Sequence, residues 1–122
     1  MLVTKLKNKE EINPFWELKP FVFKCFGCSE VSFPEKDIDA LIEENRQKIC
    51  GICRMDYLCR EEFSKACVEN YAPAIEKAGS IIVFSCGVGT QVIAGICEKK
   101  KVFAGCDTYY LNGFQGLSPQ DF

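Results

Sequence analysis

Residues 80–100 carry the pattern that most constrains the fold of this chain. Residues 81–84 form the uninterrupted apolar run Ile-Ile-Val-Phe, which is typical of a parallel strand covered on both faces. The glycines of Gly-Val-Gly follow at 87–89, and an apolar stretch over 90–97 has helical character. The segment therefore predicts a buried strand, a tight turn and a helix.

The remainder of the chain alternates between strand and helix patterns. Short apolar runs at 21–24, 48–55 and 102–104 predict further strands. Ser32 and Glu35 have the spacing of a capping box that begins a helix, and Pro73 divides a later helix into two pieces. Such alternation predicts right-handed crossovers and a parallel sheet with helices on both faces.

Length and composition indicate one globular domain. The chain has 122 residues, of which 48% are hydrophobic and 26% charged, enough for a core of its own. Residues 1–20 are charged and end in an aromatic pair, Phe15 and Trp16, which predicts an N-terminal arm that packs on the domain or on a partner. Residues 21–122 then form a single cysteine-rich α/β domain.

Charge and hydropathy exclude two classes of partner. The formal net charge of −2 argues against nucleic acid. No stretch approaches the roughly 18 consecutive apolar residues that a membrane span requires. We therefore expect a cytoplasmic protein that binds neither nucleic acid nor a membrane.

The chain contains nine cysteines and no histidine. The odd number, the lack of a leading apolar signal and the lysine-rich start favour a reducing cytosol, where cysteines bind metal or react more often than they form structural disulfides. Thiolates select zinc, copper(I) or iron–sulfur clusters. Without imidazole, any full metal site must be all-sulfur or nearly so.

Several cysteines follow predicted strands. In parallel sheets, ligands bind beyond the carboxyl ends of the strands, where residues distant in sequence converge. Cys25, Cys28, Cys86 and Cys106 fall at such positions, and Cys59 begins the helix after the second strand. Four thiolates on one cluster is the simplest arrangement that fits these positions.

Glycines accompany two of these cysteine positions. Gly27 lies inside the Cys25–Cys28 turn, and Gly87 and Gly89 follow Cys86. Glycine lets the backbone approach a cofactor closely, and we expect the N–H groups at 87 and 89 to donate to sulfur. The helix N-terminus that follows favours thiolate over thiol at Cys86.

The other cysteines have simpler interpretations. Cys67 and Cys97 lie on apolar helix faces and are predicted to be small buried side chains. Cys50 and Cys53 form a second C-x-x-C, but in a strand their side chains point to opposite faces, so a shared metal requires the segment to turn. Nucleotide or flavin binding is a weaker alternative, because Val92 leaves the G-x-G-x-x-G pattern incomplete.

Two stretches resemble a known family. Ile-Ile-Val-Phe-Ser-Cys86-Gly-Val-Gly-Thr-Gln-Val and Lys-Val-Phe-Ala-Gly-Cys106-Asp-Thr-Tyr-Tyr-Leu-Asn-Gly are similar to the methylenetetrahydrofolate reductase C-terminal domain family, the MetV-type small subunit. The Cys25–Cys28 turn and Cys59 also resemble family positions, so the similarity covers about residues 21–114. It implies an iron–sulfur or zinc subunit that docks on a flavoprotein and exchanges electrons with it.

Three features depart from that family. Members continue into a second cysteine-rich segment ending near Asn-Gly-Pro-Cys-Gly-Gly, which is absent before Phe122. The segment before Cys59 is short and carries Cys50 and Cys53, and Cys106 replaces an apolar residue. These departures point to a one-cluster or stand-alone version of the family's subunit.

We therefore predict a flavodoxin-like three-layer α/β sandwich with a short parallel sheet of about four strands. It would bind one [4Fe-4S] cluster through Cys25, Cys28, Cys59 and Cys86, with Cys106 as the main substitute. Its role would be a non-catalytic electron-transfer subunit of an oxidoreductase of one-carbon metabolism. No histidine is present to act as a general base.

Two other functions stay open at this stage. The sulfurs could hold zinc in a structural or interaction module, since four thiolates give a closed, redox-silent site. Alternatively, Cys25 and Cys28 could form the C-x-x-C of a thiol-redox protein. For the electron carrier, we expect a docking face made by Gly27, residues 87–89 and residues 107–112, including Tyr109 and Tyr110.

Overall fold

The structure is a computed structural model that describes residues 2–26 and 31–110; at residues 2, 31, 32, 109 and 110 it describes the backbone alone. Along this part of the chain the elements are β1 (Leu2–Leu6), α1 (Lys9–Trp16), β2 (Pro20–Cys25), β3 (Val31–Ser32), α2 (Glu35–Glu44), β4 (Gly51–Met55), α3 (Glu61–Asn70), α4 (Ala72–Lys77), β5 (Ser80–Phe84), α5 (Gly87–Ile96), β6 (Val102–Ala104) and β7 (Cys106–Tyr110).

The central sheet has four parallel strands in the order β4-β2-β5-β6. Val22 of β2 aligns with Ile52 on one side and with Ile82 on the other. The chain moves outward from β2 to β4 and then returns across β2 to β5 and β6. The direction of winding therefore reverses between β2 and β5, which is where ligands bind in open sheets of this type.

Helices cover both faces of this sheet and complete a flavodoxin-like three-layer arrangement. Phe21, Phe23 and Cys25 of β2 pack in a core with residues of α3, α4 and α5. Val22 and Ile82 pack on the opposite face with residues of α1 and α2. Residues 81–84 are fully buried, because β5 is internal and covered on both faces. The predicted fold class is confirmed.

Residues 2–19, which were predicted to form part of an N-terminal arm, contain β1 and α1. Ile12 and Trp16 of α1 are buried in the second core. Phe15 stacks on Phe103 with ring centroids 4.2 Å apart, and the ring centroids of Trp16 and Phe84 are 6.1 Å apart. The aromatic pair therefore packs on the domain, as one branch of the sequence prediction expected.

A second, mixed sheet of three strands was not predicted. Its order is β3-β1-β7, with β1 parallel to β3 and antiparallel to β7. Gly105 alone separates β6 from β7, and a Cβ at this position would collide with the Phe84 ring. The glycine thus lets the chain leave the central sheet at the carboxyl end of β6 and enter the second sheet.

Three predicted boundaries differ from the structure. Helix α2 begins after Pro34, which takes the N-cap position that the predicted capping box gave to Ser32. A short 3-10 helix (Arg46–Lys48) precedes β4, which starts only at Gly51. Gly87 is the first residue of α5 and not part of a separate turn. None of the helices in the described residues combines the length and apolarity needed to cross a membrane.

Candidate functional site

The carboxyl edge of the central sheet carries most of the predicted ligands. Cys25 is the last residue of β2, Cys86 lies two residues after β5, and Cys106 lies two residues after β6. Because β2, β5 and β6 are parallel neighbours, their ends meet at one edge. Cys59 follows β4 at the same edge, while Cys28 and Gly27 lie outside the described residues.

These cysteines do not all lie on the same face of the central sheet. Cys25 belongs to the core formed with α3 and α5. Cys59 is exposed and directly follows Leu58 of that same core. Cys86 is half-buried and caps α5, which packs in this layer. Cys106, in contrast, is buried in the core on the opposite face of the sheet.

In residues 2–26 and 31–110, no three cysteine or carboxylate side chains come together in a way that could hold a metal ion. The donor chemistry of the edge suits a soft metal or an iron–sulfur cluster, since its candidate ligands are all thiols. A four-sulfur set on this edge depends on Cys28, which the described residues do not include.

Burial disfavours ionisation of one of the candidate ligands. Burial and the neighbouring Asp107 together raise the pKa of the Cys106 thiol to about 12, although Lys7 lowers it. Cys86 is also close enough to raise this pKa, and a backbone hydrogen bond from Ser85 lowers it. Metal ligation requires the thiolate, the form that burial disfavours at Cys106.

The first turn of α5 is held by hydroxyl groups. The Gly87 N–H donates to Thr108 Oγ1 over 2.9 Å, and Thr108 Oγ1 lies 3.3 Å from the buried Thr4 Oγ1. Thr90 closes the turn, with its N–H and hydroxyl both donating to the Cys86 carbonyl. The Gly87 N–H, expected to donate to sulfur, is therefore engaged by β7.

Gly89 is needed at its position for packing, whereas Gly87 is not. A Cβ at Gly89 would collide with the Ser85 hydroxyl and come within 3.2 Å of Leu58 Cβ. A Cβ at Gly87 would meet nothing within 4 Å. Gly89 thus allows α5 to lie close to the carboxyl end of β5. The Ser85 hydroxyl buried beneath it makes no hydrogen bond within the described part of the chain.

Lys24 is a buried cation at this edge that sequence reasoning missed. Its side chain is only 1% exposed, and its ammonium group contacts Glu35 at 3.1 Å and Asp39 at 3.0 Å. The same group lies 5.0 Å from the centre of the Phe26 ring. The signal in the sequence was a lysine inside an apolar run, followed by carboxylates four residues apart at the start of a helix. The contacts fasten α2 to the end of β2.

Apolar side chains are exposed around the same edge. Phe26 follows β2, Tyr57 follows β4, and Val88 lies in the first turn of α5; each is at least 43% exposed. Tyr57 also has a positive φ of 58°, a conformation that bulky residues rarely adopt outside functional or strained loops. We refer to Phe26, Tyr57 and Val88 as the edge patch.

The remaining cysteines lie away from this site. Cys50 is exposed before β4, at the amino edge, and its thiol donates to the Lys19 carbonyl. Cys53 lies within β4 and forms a disulfide with Cys67 of α3. The structure therefore does not bring Cys50 and Cys53 together, and it corrects the prediction that Cys67 is an unbonded buried side chain. Cys97 is buried as predicted, and burial raises its pKa.

The chain matches no protein-family profile, no curated protein and no solved structure.

Proposed function

We propose that this protein is an iron–sulfur electron-transfer subunit that works with a flavoprotein of the methylenetetrahydrofolate reductase type. The observation that carries the proposal is the position of Cys25 and Cys86, at the carboxyl ends of the two strands that flank the reversal of winding. Ligands bind at that reversal in open parallel sheets. The loop with Cys59 joins β4 to α3 beside the same core layer.

Cys25, Cys28, Cys59 and Cys86 would hold a [4Fe-4S] cluster through their thiolates. The cluster, when bound, supplies one-electron chemistry. Cys106 is the less suitable substitute, because it lies on the other face of the sheet and its pKa is raised to about 12. Thr4 and Thr108 would act indirectly, by fixing the turn of α5 that carries Cys86.

The edge patch supports docking of a partner next to the site. Phe26, Tyr57 and Val88 expose apolar surface around the sheet edge to which Cys25 and Cys86 belong. Aromatic residues are enriched at protein–protein contacts. Electron transfer needs a short path between centres, so a flavoprotein seated on this patch would bring its flavin close to the proposed ligands.

Anaerobic purification followed by iron, sulfide and zinc analysis tests the cofactor. We expect brown protein with iron and sulfide, partial bleaching by dithionite and a paramagnetic signal in the reduced state. Zinc has no accessible redox change. Colourless protein with one tightly held zinc, from cells given ample iron and kept free of oxygen, would replace the electron carrier by a structural zinc module.

Substitutions in the edge patch test the partner. Val88→Asp and Tyr57→Ala should weaken the complex with the flavoprotein about tenfold, as expected for exposed anchors of an interface, with unchanged iron content. Leu18→Asp is the matched control, because Leu18 is 44% exposed but lies before β2, at the amino edge. Equal weakening by Leu18→Asp, or normal binding by both edge-patch variants, would contradict the docking face.

A further inference from the structure

A groove opens along the outer edge of the central sheet. It has a volume of about 320 Å³ and lies between β4 and α3. The lining residues are Cys53, Arg54, Met55, Phe63, Ala66, Cys67, Asn70 and Tyr71. Strand β4 is the last strand on its side of the sheet and pairs only with β2 in the described part of the chain. Its outer side therefore offers backbone N–H and C=O groups that have no strand partner among the described residues.

Helix α3 gives this groove an uncharged wall. Residues 63, 66, 67 and 70 are spaced three and four apart and form one stripe along the helix, and Tyr71 follows at its C-terminus. None of these five side chains carries a charge. Phe63 is 42% exposed and Tyr71 is 40% exposed. The wall thus presents two aromatic rings to solvent beside an edge strand.

The other outer strand of the central sheet, β6, is blocked where β4 is open. Strand β6 has three residues and β4 has five. Three lysines at 99–101 precede β6, and lysines at a sheet edge hinder pairing with another chain. Phe103 of β6 is also stacked on Phe15 of α1. Strand β4 contains no proline and only one charged residue, Arg54. Of these two edges, β4 is the one suited to pairing.

We propose that β4 pairs with β4 of a second copy of this chain in a weak, reversible homodimer. An edge strand that runs antiparallel to itself about a twofold axis is its own complement, because the N–H groups of each copy meet the C=O groups of the other. The two four-stranded sheets would then join into one. With the axis perpendicular to the sheet, both α3 stripes lie on the same face. Since these stripes are uncharged, they oppose no like charges.

The exposed area of the groove indicates a weak dimer. An aromatic side chain presents roughly 200 Å² when fully exposed, so Phe63 and Tyr71 together offer roughly 160 Å² per copy. Pairing of the short strand adds hydrogen bonds but little apolar area. A stable interface buries about 800 Å² per partner. We therefore expect a dimer dissociation constant on the order of 100 µM.

This interface is separate from the proposed cofactor site. The groove shares no residue with the proposed cluster ligands or with the edge patch. Both of those lie at the carboxyl edge, whereas the groove follows the outer side of β4. The inference therefore does not rest on the proposed function, and either can fail without the other.

Sedimentation equilibrium and amide hydrogen exchange of the native protein test the dimer. Between about 10 µM and about 1 mM, the protein should change from mostly monomer to mostly dimer, and the fraction of monomer should fall about fourfold. Exchange at the outer amides of β4 should slow by the same factor, because they are free only in the monomer. The amides of β6 should exchange at the same rate at both concentrations.

Phe63→Asp tests the groove and Val88→Asp is its matched control. Phe63→Asp removes an aromatic anchor and places a carboxylate in the interface, so it should raise the dimer dissociation constant at least about tenfold. Val88 is 53% exposed in the first turn of α5, and Val88→Asp adds the same charge there without changing the constant. Phe63→Asp should keep full iron content and bind the flavoprotein normally, which separates this test from that of the edge patch.

Three results would overturn the proposed dimer. In the first, the protein stays monomeric up to about 1 mM, about ten times the expected dissociation constant. In the second, it dimerises but the β4 amides exchange at the same rate at both concentrations, or Val88→Asp weakens the dimer as much as Phe63→Asp. In the third, the β4 amides of monomeric protein are protected only when the flavoprotein is added, so that the strand on this edge belongs to that partner.

Discussion

Cysteine and lysine residues are buried at one edge of the central sheet and exposed at the other. At the carboxyl edge, Cys25 and Lys24 are buried at the end of β2. At the amino edge, Cys50 is exposed, and Lys48 pairs with Glu17 in solvent. Burying polar or charged groups costs free energy unless they are paired. The carboxyl edge therefore buries a cation and a thiol, and the exposed residues of the amino edge serve as controls for them.

Cysteine substitutions at the two edges are expected to differ most in cofactor content and in the free energy of unfolding. Cys25→Ser should lose the cofactor and destabilise the fold, because thiolate–metal bonding contributes folding free energy. Cys50→Ser should retain full iron and sulfide and change the free energy of unfolding by no more than about 0.5 kcal/mol, as expected for an exposed residue. Metal analysis and urea unfolding measure both effects. Full cofactor content in Cys25→Ser would remove the distinction between the edges.

Lysine substitutions compare charges at the two edges. Lys24→Ala removes a buried side chain and its contacts with Glu35 and Asp39, and should cost about 3 kcal/mol. That is the low end for a broken buried pair, since both carboxylates are partly exposed. Lys48→Ala breaks an exposed pair with Glu17 and should cost less than about 1 kcal/mol.

Urea unfolding at neutral pH measures both lysine variants. Lys24→Met keeps the volume without the charge and separates packing from ion pairing. If Lys24→Ala and Lys48→Ala lose equal stability, the buried cation is not what fastens α2 to β2.

The sequence predicted the central sheet because its strands carry local signals. The run at 81–84 has an apolar pattern that is typical of a strand covered on both faces. Strand-end positions then follow from parallel topology, which is how Cys25, Cys86 and Cys106 could be assigned to one edge. Locating the cysteines relative to the sheet needed no knowledge of tertiary contacts.

The second sheet and the disulfide could not be predicted from local sequence patterns. Pairing of β1 with β7 joins Leu6 to Cys106 across most of the chain, and neither strand has a strong pattern of its own. The Cys53–Cys67 bond depends on how α3 rotates against β4, which residue spacing does not fix. Lys24 was missed because a single lysine within an apolar run was taken as part of a buried strand, and residue spacing does not show that Glu35 and Asp39 of the following helix reach it.

The raised pKa of Cys106, at the carboxyl edge, makes the free energy of unfolding depend on pH under alkaline conditions. Burial raises its pKa from 9.0 to about 12 in the folded protein. The unfolded chain thus loses this proton near pH 9, while the folded chain keeps it until about pH 12. Between these values the unfolded state binds fewer protons, so Cys106 lowers stability by about 1.4 kcal/mol for each pH unit of increase.

Cys106→Ala supplies the control for this pH dependence. Its stability should fall less steeply than that of the wild type above pH 9, by about 1.4 kcal/mol per unit, with no difference in slope below that pH. Urea unfolding at a series of pH values measures both slopes. Identical slopes above pH 9 would show that Cys106 ionises as readily in the folded protein as in the unfolded chain, and would return it to the candidate ligands.

Two serines lie at opposite ends of β5. Their substitution by alanine is expected to change the free energy of unfolding least, and in opposite directions. The Ser80 hydroxyl, at the amino edge, donates to the Leu18 carbonyl at 3.3 Å. The Ser85 hydroxyl, at the carboxyl edge, is buried without a partner among the described residues. Ser80→Ala should therefore cost about 1 kcal/mol, since a hydrogen bond is lost, whereas Ser85→Ala should be neutral or stabilising by up to about 1 kcal/mol.

Both serine variants can be compared by thermal and urea unfolding of protein with and without the proposed cofactor. Ser85 lies between Phe84 and Cys86, so a cofactor bound at this edge could accept a hydrogen bond from its hydroxyl. In that case Ser85→Ala should destabilise the protein only when the cofactor is bound. A cost of about 1 kcal/mol in the cofactor-free protein would instead mean that the hydroxyl has a partner within the protein, and the carboxyl edge would lose one of the features that set it apart.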